Sequence, residues 1–579
     1  MRVIMLQFAL IICTFASAQV PYHLSPDWST QPNGYIDTGL GLADINGDGF
    51  KDMIVANGND IERQNLVVYY NHGDGTFNLN PDWLSSDVDY HGHLACGDLD
   101  NDGDIDVAVS VYIGESGFSS PGRLKIYYNL GNQLESSPSY ESDPFYTFSC
   151  ALGDADADGD LDIATVAGEP YSTQLDYGKI FLNNNGTFQP VAEWQSDVLM
   201  GALDVEFGDI NMDHFLDVIY VCEGTPNMIY LANSDGIIDE TPDWQSDELQ
   251  NYINSVEVGY ENDHSYVVMT ENDQLGGQGR VRRYDFSSTI PASSSADWYS
   301  DPFGYGSGIA VNDVNRDGIQ DVIYGGWWLP IKIALGLGSG NGYELNTSYT
   351  SSTGSVVEAI QLSDLDKSDY QALTWSFSVG SDLAGKNVAL AGDESSMEDV
   401  ISVTVNGQPV NETQYKNVPG KPWVIFSNRF VQGDNIEIQY QQSSFPDMVV
   451  TNWDANKGDY IFYNTEGSVG IDEQGGLEAR RHGGMAVWPV PARGSCQLSV
   501  GSSQFAVGSQ QSSVVGRQSG SDLYVDIVDL SGLVVQSFNW PNGRNSLEIN
   551  TSDIIPGTYI ISLRHNDRIV DHQKLIIIH

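Results

Sequence analysis

Asp98-Leu-Asp100-Asn-Asp102-Gly103-Asp-Ile-Asp106 runs directly into the apolar stretch Val107-Ala-Val-Ser-Val. Acidic side chains stand at positions 1, 3, 5 and 9 of a short loop, and glycine stands at position 6, where the chain must turn sharply. The pattern recurs at Asp44, Asn46, Asp48 and Asp52, at Asp154, Asp156, Asp158 and Asp162, and at Asp313, Asn315, Asp317 and Asp321. A weaker copy, Asp209, Asn211, Asp213 and Asp217, has His214 in place of the turn glycine. The first four copies are spaced by 54, 56 and 55 residues. The interval of 104 before Asp313 leaves room for one more unit, whose remnant is Gly259-Tyr-Glu-Asn-Asp263, and a damaged seventh begins at Asp364-Leu-Asp366. An aromatic marker runs in phase at Trp28, Trp83, Tyr140, Trp194, Trp244, Trp298 and Tyr349. Two independent markers give the same count of seven, which is the signature of a repeat architecture.

Each unit reads as short strands only. Leu94-Ala-Cys-Gly precedes the acidic loop, Val107 opens the strand after it, and Leu124-Lys-Ile-Tyr-Tyr follows. Four short strands in about 50 residues, repeated seven times, predict an all-β, seven-bladed propeller over residues 19–364. The strand expected after the seventh loop is displaced to Asp447-Met-Val-Val-Thr, so residues 365–445 form a β-rich insertion and 446–470 complete the last blade. The marker at Trp28 precedes any complete unit. It is expected to pair with the last blade and cover an open edge.

Oxygen ligands at positions 1, 3, 5 and 9 suit a hard cation with six to eight ligands, which favours calcium over magnesium. An EF-hand is excluded because position 12 is Val55, Val109 or Thr165 rather than Glu, and β-type runs flank the loops. Polar turns alone are the plainer reading, but crowding carboxylates without a cation is electrostatically costly. Four calcium sites are expected, with the Asp209 loop as a fifth candidate, and the units at Gly259 and Asp364 are expected to hold nothing. Their repetition around the ring argues for a structural role.

The units spanning 97–109 and 153–163 resemble FG-GAP/VCBS repeats, and the resemblance extends over about residues 20–364 and 446–466. It implies a calcium-bearing propeller of the kind found in the integrin α-subunit head and in several lectins. Fold and metal follow from it; function does not, because the family spans adhesion, carbohydrate binding and domains attached to enzymes.

Residues 1–18 combine Arg2, an apolar run and Ala16-Ser17-Ala18, which reads as a secretory signal peptide. No later run is apolar enough to span a bilayer, so the mature chain is expected to lack a transmembrane segment. A Gly- and charge-rich linker (471–485) leads to short alternating strands over 486–579, an expected Ig-like β-sandwich. Their order, starting at Trp488-Pro-Val-Pro491, resembles a type IX secretion system C-terminal sorting domain, although the usual start is Tyr-Pro-Asn-Pro. That resemblance implies handling by the type IX machinery and an extracellular or cell-surface destination.

With 25 basic against 79 acidic residues in 579, the formal charge of −54 excludes binding to a nucleic-acid backbone. Cys96, Cys150 and Cys222 lie in apolar runs and read as buried thiols; Cys496 is the fourth of the mature chain. No Gly-x-Ser-x-Gly, His-Glu-x-x-His or Gly-x-Gly-x-x-Gly motif occurs. His91-Gly-His93 offers two metal ligands without an identified third. Trp327-Trp328 in a Gly-rich turn is the one aromatic pair placed to stack on a sugar or anchor a partner, with core packing as the competing reading. The leading expectation is a surface or secreted module that binds glycan or an extracellular protein. The alternative is a secreted polysaccharide lyase or hydrolase with its cleft on a propeller face.

Overall fold

The strand that follows each acidic loop is buried along nearly its whole length and mostly apolar, as in Asp106–Gly114, because neighbouring sheets cover both of its faces. The computed structural model describes residues 20–465, apart from short internal stretches, and the strands between 485 and 577. The leader (1–18), the linker up to residue 484, and Asn262 and Asp263 of the fifth unit lie outside the described residues. Among the described residues every regular element is a strand except one 3-10 turn, Glu412–Gln414. The chain divides into two compact units between residues 469 and 470.

In the first unit five antiparallel four-stranded sheets follow one another along the chain. The first consists of Asp37–Ala43, Asp52–Asn57, Val67–Tyr69 and Trp83–Leu84, and the aromatic marker forms its short fourth strand. Tyr90–Gly97, Cys150–Gly153, Ala202–Gly208 and Ile253–Glu261 begin the next four. A six-stranded sheet closes the series. In it the long strand Tyr349–Ser363 pairs through its first half with Asp321–Ala334 and through its second half with Asp447–Asn452. Trp28–Ser29 pairs antiparallel with Tyr460–Phe462, so the N-terminal strand covers the edge that the sequence left open. First strands of successive sheets pack side by side, and Asp37–Ala43 also packs against Tyr349–Ser363. The fold is propeller-like.

Residues 371–442 form two further small sheets, one built on Gln371–Ser378, Asn435–Gln442 and Met397–Val405, the other on Val388–Leu390, Trp423–Phe426 and Tyr415–Lys416. They enclose their own core around Val403, Val424, Ile436 and Ile438. Val388, Leu390, Val418, Trp423 and Ile425 instead share a core with Ala155, Ala157 and Phe215 of the acidic-loop end, so the insertion is packed onto that end.

The second unit contains seven strands, from Met485–Arg493 to Arg568–Ile577, in antiparallel pairings joined by one parallel bridge, Ala492 to Ile577.

Candidate functional site

Position 9 holds each acidic loop to its sheet. Asp106 takes the Leu99 N–H on one carboxylate oxygen at 2.8 Å and the Asn129 N–H on the other at 2.7 Å. Asp52, Asp162, Asp217 and Asp321 do the same with the residue at position 2 of their own loops and a residue after the third strand. Burial pushes Asp52 and Asp106 up to about 7 and Asp321 to about 8, against the lowering effect of those N–H donors. Position 1 works on the turn: Asp44 accepts the N–H groups of Gly47, Asp48 and Gly49.

The backbone turns left-handed at positions 4 and 6 of the four intact loops: Gly47 and Gly49, Asn101 and Gly103, Ala157 and Gly159, Arg316 and Gly318. Met212 and His214 adopt the same conformation at φ 58° and 67°, so the loop lacking its glycine still makes the turn. Its Asp209 accepts from Asp213 and His214 as Asp44 does from its own loop.

Ligand oxygens of Asp98, Asp100 and Asp106 lie within 4.8 Å of one another, as do those of Asp154, Asp156 and Asp162. A third such group unites Asp364 and Asp366 with Asp447, which follows the insertion. Asp447 is therefore position 9 of the interrupted seventh loop: it accepts the Leu365 N–H at 3.1 Å and the Asn464 N–H at 2.8 Å. The seventh unit, expected from its sequence to hold nothing, has an acidic cluster of the same kind as the intact ones. These clusters suit a hard cation in donor type.

The insertion brings cations and an amide to the same loops. Lys416 forms an ion pair with Asp98, whose other oxygen is buried without a partner. Asn387 donates to Asp154 at 2.6 Å, and Lys386 lies 3.2 Å from Asp213. Lys421 reaches Glu206 at 2.6 Å and Glu257 at 3.3 Å on the first strands of two adjacent sheets. A Val418-Pro-Gly-Lys421 turn presents it: the Lys421 N–H bonds back to Val418 at 3.0 Å, and Gly420 supplies φ 80°.

In the fifth unit the first two strands pair to their ends, Glu261 opposite His264. Ile253–Glu261 and His264–Glu271 join in a tight hairpin, and the fully buried Arg283 guanidinium bonds Glu261 at 2.9 Å and Asp285 at 2.6 Å over the Tyr266 ring. A fixed cation there holds the acids of a unit that has lost its acidic loop. Arg283→Lys keeps the charge and loses the fork. It is expected to cost about 2 kcal/mol in a denaturant melt, by the same amount with and without chelator.

Sequence inspection missed an aromatic-x-Asn signal at residues 69–71, 127–129, 181–183 and 462–464. Asn129 donates its side-chain amide to Ile45 and Ile105, and Asn183 to Leu99 and Leu161, so each ties its own loop to that of the preceding sheet.

The opposite ends of the same strands open into a cavity of about 370 Å³. Tyr112, Phe148, Tyr305, Trp327, Trp328 and Trp453 line it with Asn59, Asp60, Asn254, Gln274 and Glu358. The tandem tryptophans divide the two roles proposed for them. Trp327 is 8% exposed and donates its indole N–H to Glu358 at 2.8 Å, whereas Trp328 is 65% exposed. Trp328 also sits at φ 61°, a conformation rare for so bulky a residue. Burial pushes Glu358 up to about 7, with Asp60 and Asp204 reinforcing it and His93 and Trp327 opposing it. Below Glu358, first strands from successive sheets line a narrower cavity of about 110 Å³ containing His93, Asp204, Glu206 and Glu257.

His91 and His93 are not brought together. The pairing slips on both sides of His91, so His91 bonds the Asn57 carbonyl at 2.9 Å, while His93 faces Ser149 and Asp204. Cys96, Cys150 and Cys222 are buried and free, with burial pushing each thiol up to about 12; the Cys496 side chain lies outside the described residues.

An FG-GAP-like repeat profile matches residues 44–109, and a secretion system C-terminal sorting domain profile matches 486–578. Cartilage acidic protein 1 of Mus musculus is 24% identical over 305 residues, 44% of this chain and 43% of that protein, so the match spans less than half of the relative's length. Solved structures of BBS1N in complex with ARL6DN, soaked with lead or with mercury, align over 60% of this chain and 90% or 91% of theirs, at 10% identity and TM-scores of 0.38 and 0.39. The chain carries an FG-GAP-like repeat and a type IX sorting domain. The sorting domain directs it through that secretion system to the extracellular space or cell surface. Among the described residues no helix is long and apolar enough to cross a membrane.

Proposed function

We propose that this is a calcium-bearing, seven-bladed propeller that binds glycan in its aromatic pocket at the cell surface or outside the cell. The pocket carries the reading: six aromatic rings, several polar groups and about 370 Å³ gathered at the strand ends away from the acidic loops. The blade count rests on cyclic contact among seven first strands, from Asp37–Ala43 round to the second half of Tyr349–Ser363 and back. In the chain's layout, 1–18 is the leader, 19–364 and 446–470 the propeller, 365–445 an insertion within the last acidic loop, 471–485 a linker and 486–579 the sorting sandwich. Calcium would be held by Asp44, Asn46, Asp48 and Asp52, by the matching residues of the Asp98, Asp154 and Asp313 loops, and more weakly by the Asp209 loop. It would neutralise the clustered carboxylates and fix each turn. The Asp364–Asp366–Asp447 group adds a candidate in which the two ends of the insertion meet.

Trp328→Ala is the decisive variant, because its ring is exposed and its removal leaves the core intact. Retention on a polysaccharide panel in calcium is expected to weaken at least tenfold in this variant, with an unchanged melting temperature. Retention that ignores Trp328 excludes the pocket. Glu358, buried beside Trp327 and protonated towards neutral pH, supports the second reading of a polysaccharide-degrading enzyme. Shortened product chains that disappear in Glu358→Gln would decide for it.

A further inference from the structure

The pocket's charge is one-sided. Asp60 and Glu358 are its ionisable acids, and no Lys, Arg or His is among its described lining residues. In the narrower cavity beneath, Lys421 already pairs with Glu206 and Glu257 and His93 faces Asp204, so the one-sided charge belongs to the pocket itself. Around the acids stand aromatic rings, whose faces carry negative potential and attract cations: Trp327 lies 6.4 Å from Trp328, 5.5 Å from Trp453 and 6.5 Å from Tyr305 between ring centres. Two polar atoms of this lining are buried without a partner, the Asn254 side-chain carbonyl and the Trp453 indole N–H. One needs a donor and the other an acceptor; a sugar hydroxyl can satisfy either, and an ammonium only the first.

We propose that the pocket selects an amino sugar, with its ammonium paired to Asp60 and donating a hydrogen bond to Glu358, and its ring stacked on Trp328. The inference rests on the glycan reading of the pocket and adds to it the charge of the ligand. N-acetylation removes the cation, and a uronate replaces it with an anion that this lining repels. The volume suits one or two sugar rings rather than a longer chain held end to end.

The test is calorimetric titration of the full chain in calcium at moderate salt. The probes are a β-1,4-linked glucosamine disaccharide, kept acidic enough to be protonated, its N,N′-diacetyl form and a digalacturonate. A short ligand limits non-specific attraction to a protein of charge −54. The free amine is expected to bind at least tenfold more tightly than the acetylated form, and the uronate not at all. Trp328→Ala is expected to weaken the amine at least tenfold. Asp60→Asn is expected to lower the ratio of amine to acetylated affinity severalfold. If the acetylated sugar binds as tightly or more tightly through Trp328, selection of the cation is overturned and the glycan reading stands. Amine binding that is insensitive to Trp328 and lost in salt is surface attraction and overturns the inference. If none of the three binds, both readings fall.

Discussion

Calcium added to the chelated protein is expected to raise its melting temperature by about 10 °C or more, and by more at pH 8 than at pH 5.5. Several sites filled well above their dissociation constants each add a few kcal/mol to the folded state alone. The pH dependence follows from position 9 of the loops. Asp52, Asp106 and Asp321 are raised to between about 7 and about 8 by burial, while in the unfolded chain they titrate near the usual carboxylate value. A raised carboxyl keeps its proton in the fold over a window in which the unfolded chain has lost it. Metal-free stability is therefore greatest below about pH 4 as far as these groups decide, and it falls as pH rises through 7 to 8. Without calcium the melting temperature is expected to drop by about 5–10 °C between pH 5.5 and 8. Calcium, holding the ionised form, removes that slope. Differential scanning fluorimetry across both variables checks it: equal melting curves with calcium and chelator at pH 8 would exclude metal from the loops.

The acidic loops were legible because their requirements are local. Nine consecutive residues contain every donor, and the left-handed turn at position 6 leaves glycine in four of the five copies, while position 4 varies. Distance in sequence hid the rest. Asp447 stands beyond the whole insertion from Asp364, so no nine-residue pattern includes it, and the seventh unit read as damaged. The Lys416–Asp98 pair joins residues 318 apart, and nothing near Lys416 marks it as a partner of an acidic loop. The aromatic pocket draws residues from six sheets, half of them just before a first strand or just after a second and half within strands. Only Trp327-Trp328 were conspicuous, because they are adjacent in the chain. The histidine pair misled for the opposite reason: regular alternation would put His91 and His93 on one face, and the irregular pairing there separates them.

Lys421→Met is expected to release the insertion from the acidic-loop end at pH 8 and to leave it seated at pH 5.5. Lys421 lies between Glu206 and Glu257, and all three side chains are largely shielded from water. Removing the ammonium leaves two neighbouring carboxylates without a counter-charge, a defect that costs about 3–5 kcal/mol for a buried pair. The acids can avoid that cost by taking up protons. Burial already pushes Glu206 up to about 7 with Lys421 present, and Glu257 is raised by the same cause. Without Lys421 both rise further, so at pH 5.5 they are neutral and the apolar contact of Val418, Trp423 and Ile425 with the propeller suffices to hold the insertion. At pH 8 both must ionise against each other, and the folded form that keeps them together loses stability as pH rises. Limited proteolysis within 371–442 reads the difference: rapid cleavage of Lys421→Met at pH 8, slow cleavage at pH 5.5, and slow cleavage of Lys421→Arg at both. Equal cleavage of the Met variant at the two pH values would show that the remaining contacts seat the insertion, and that the Lys421 ion pair contributes nothing to it.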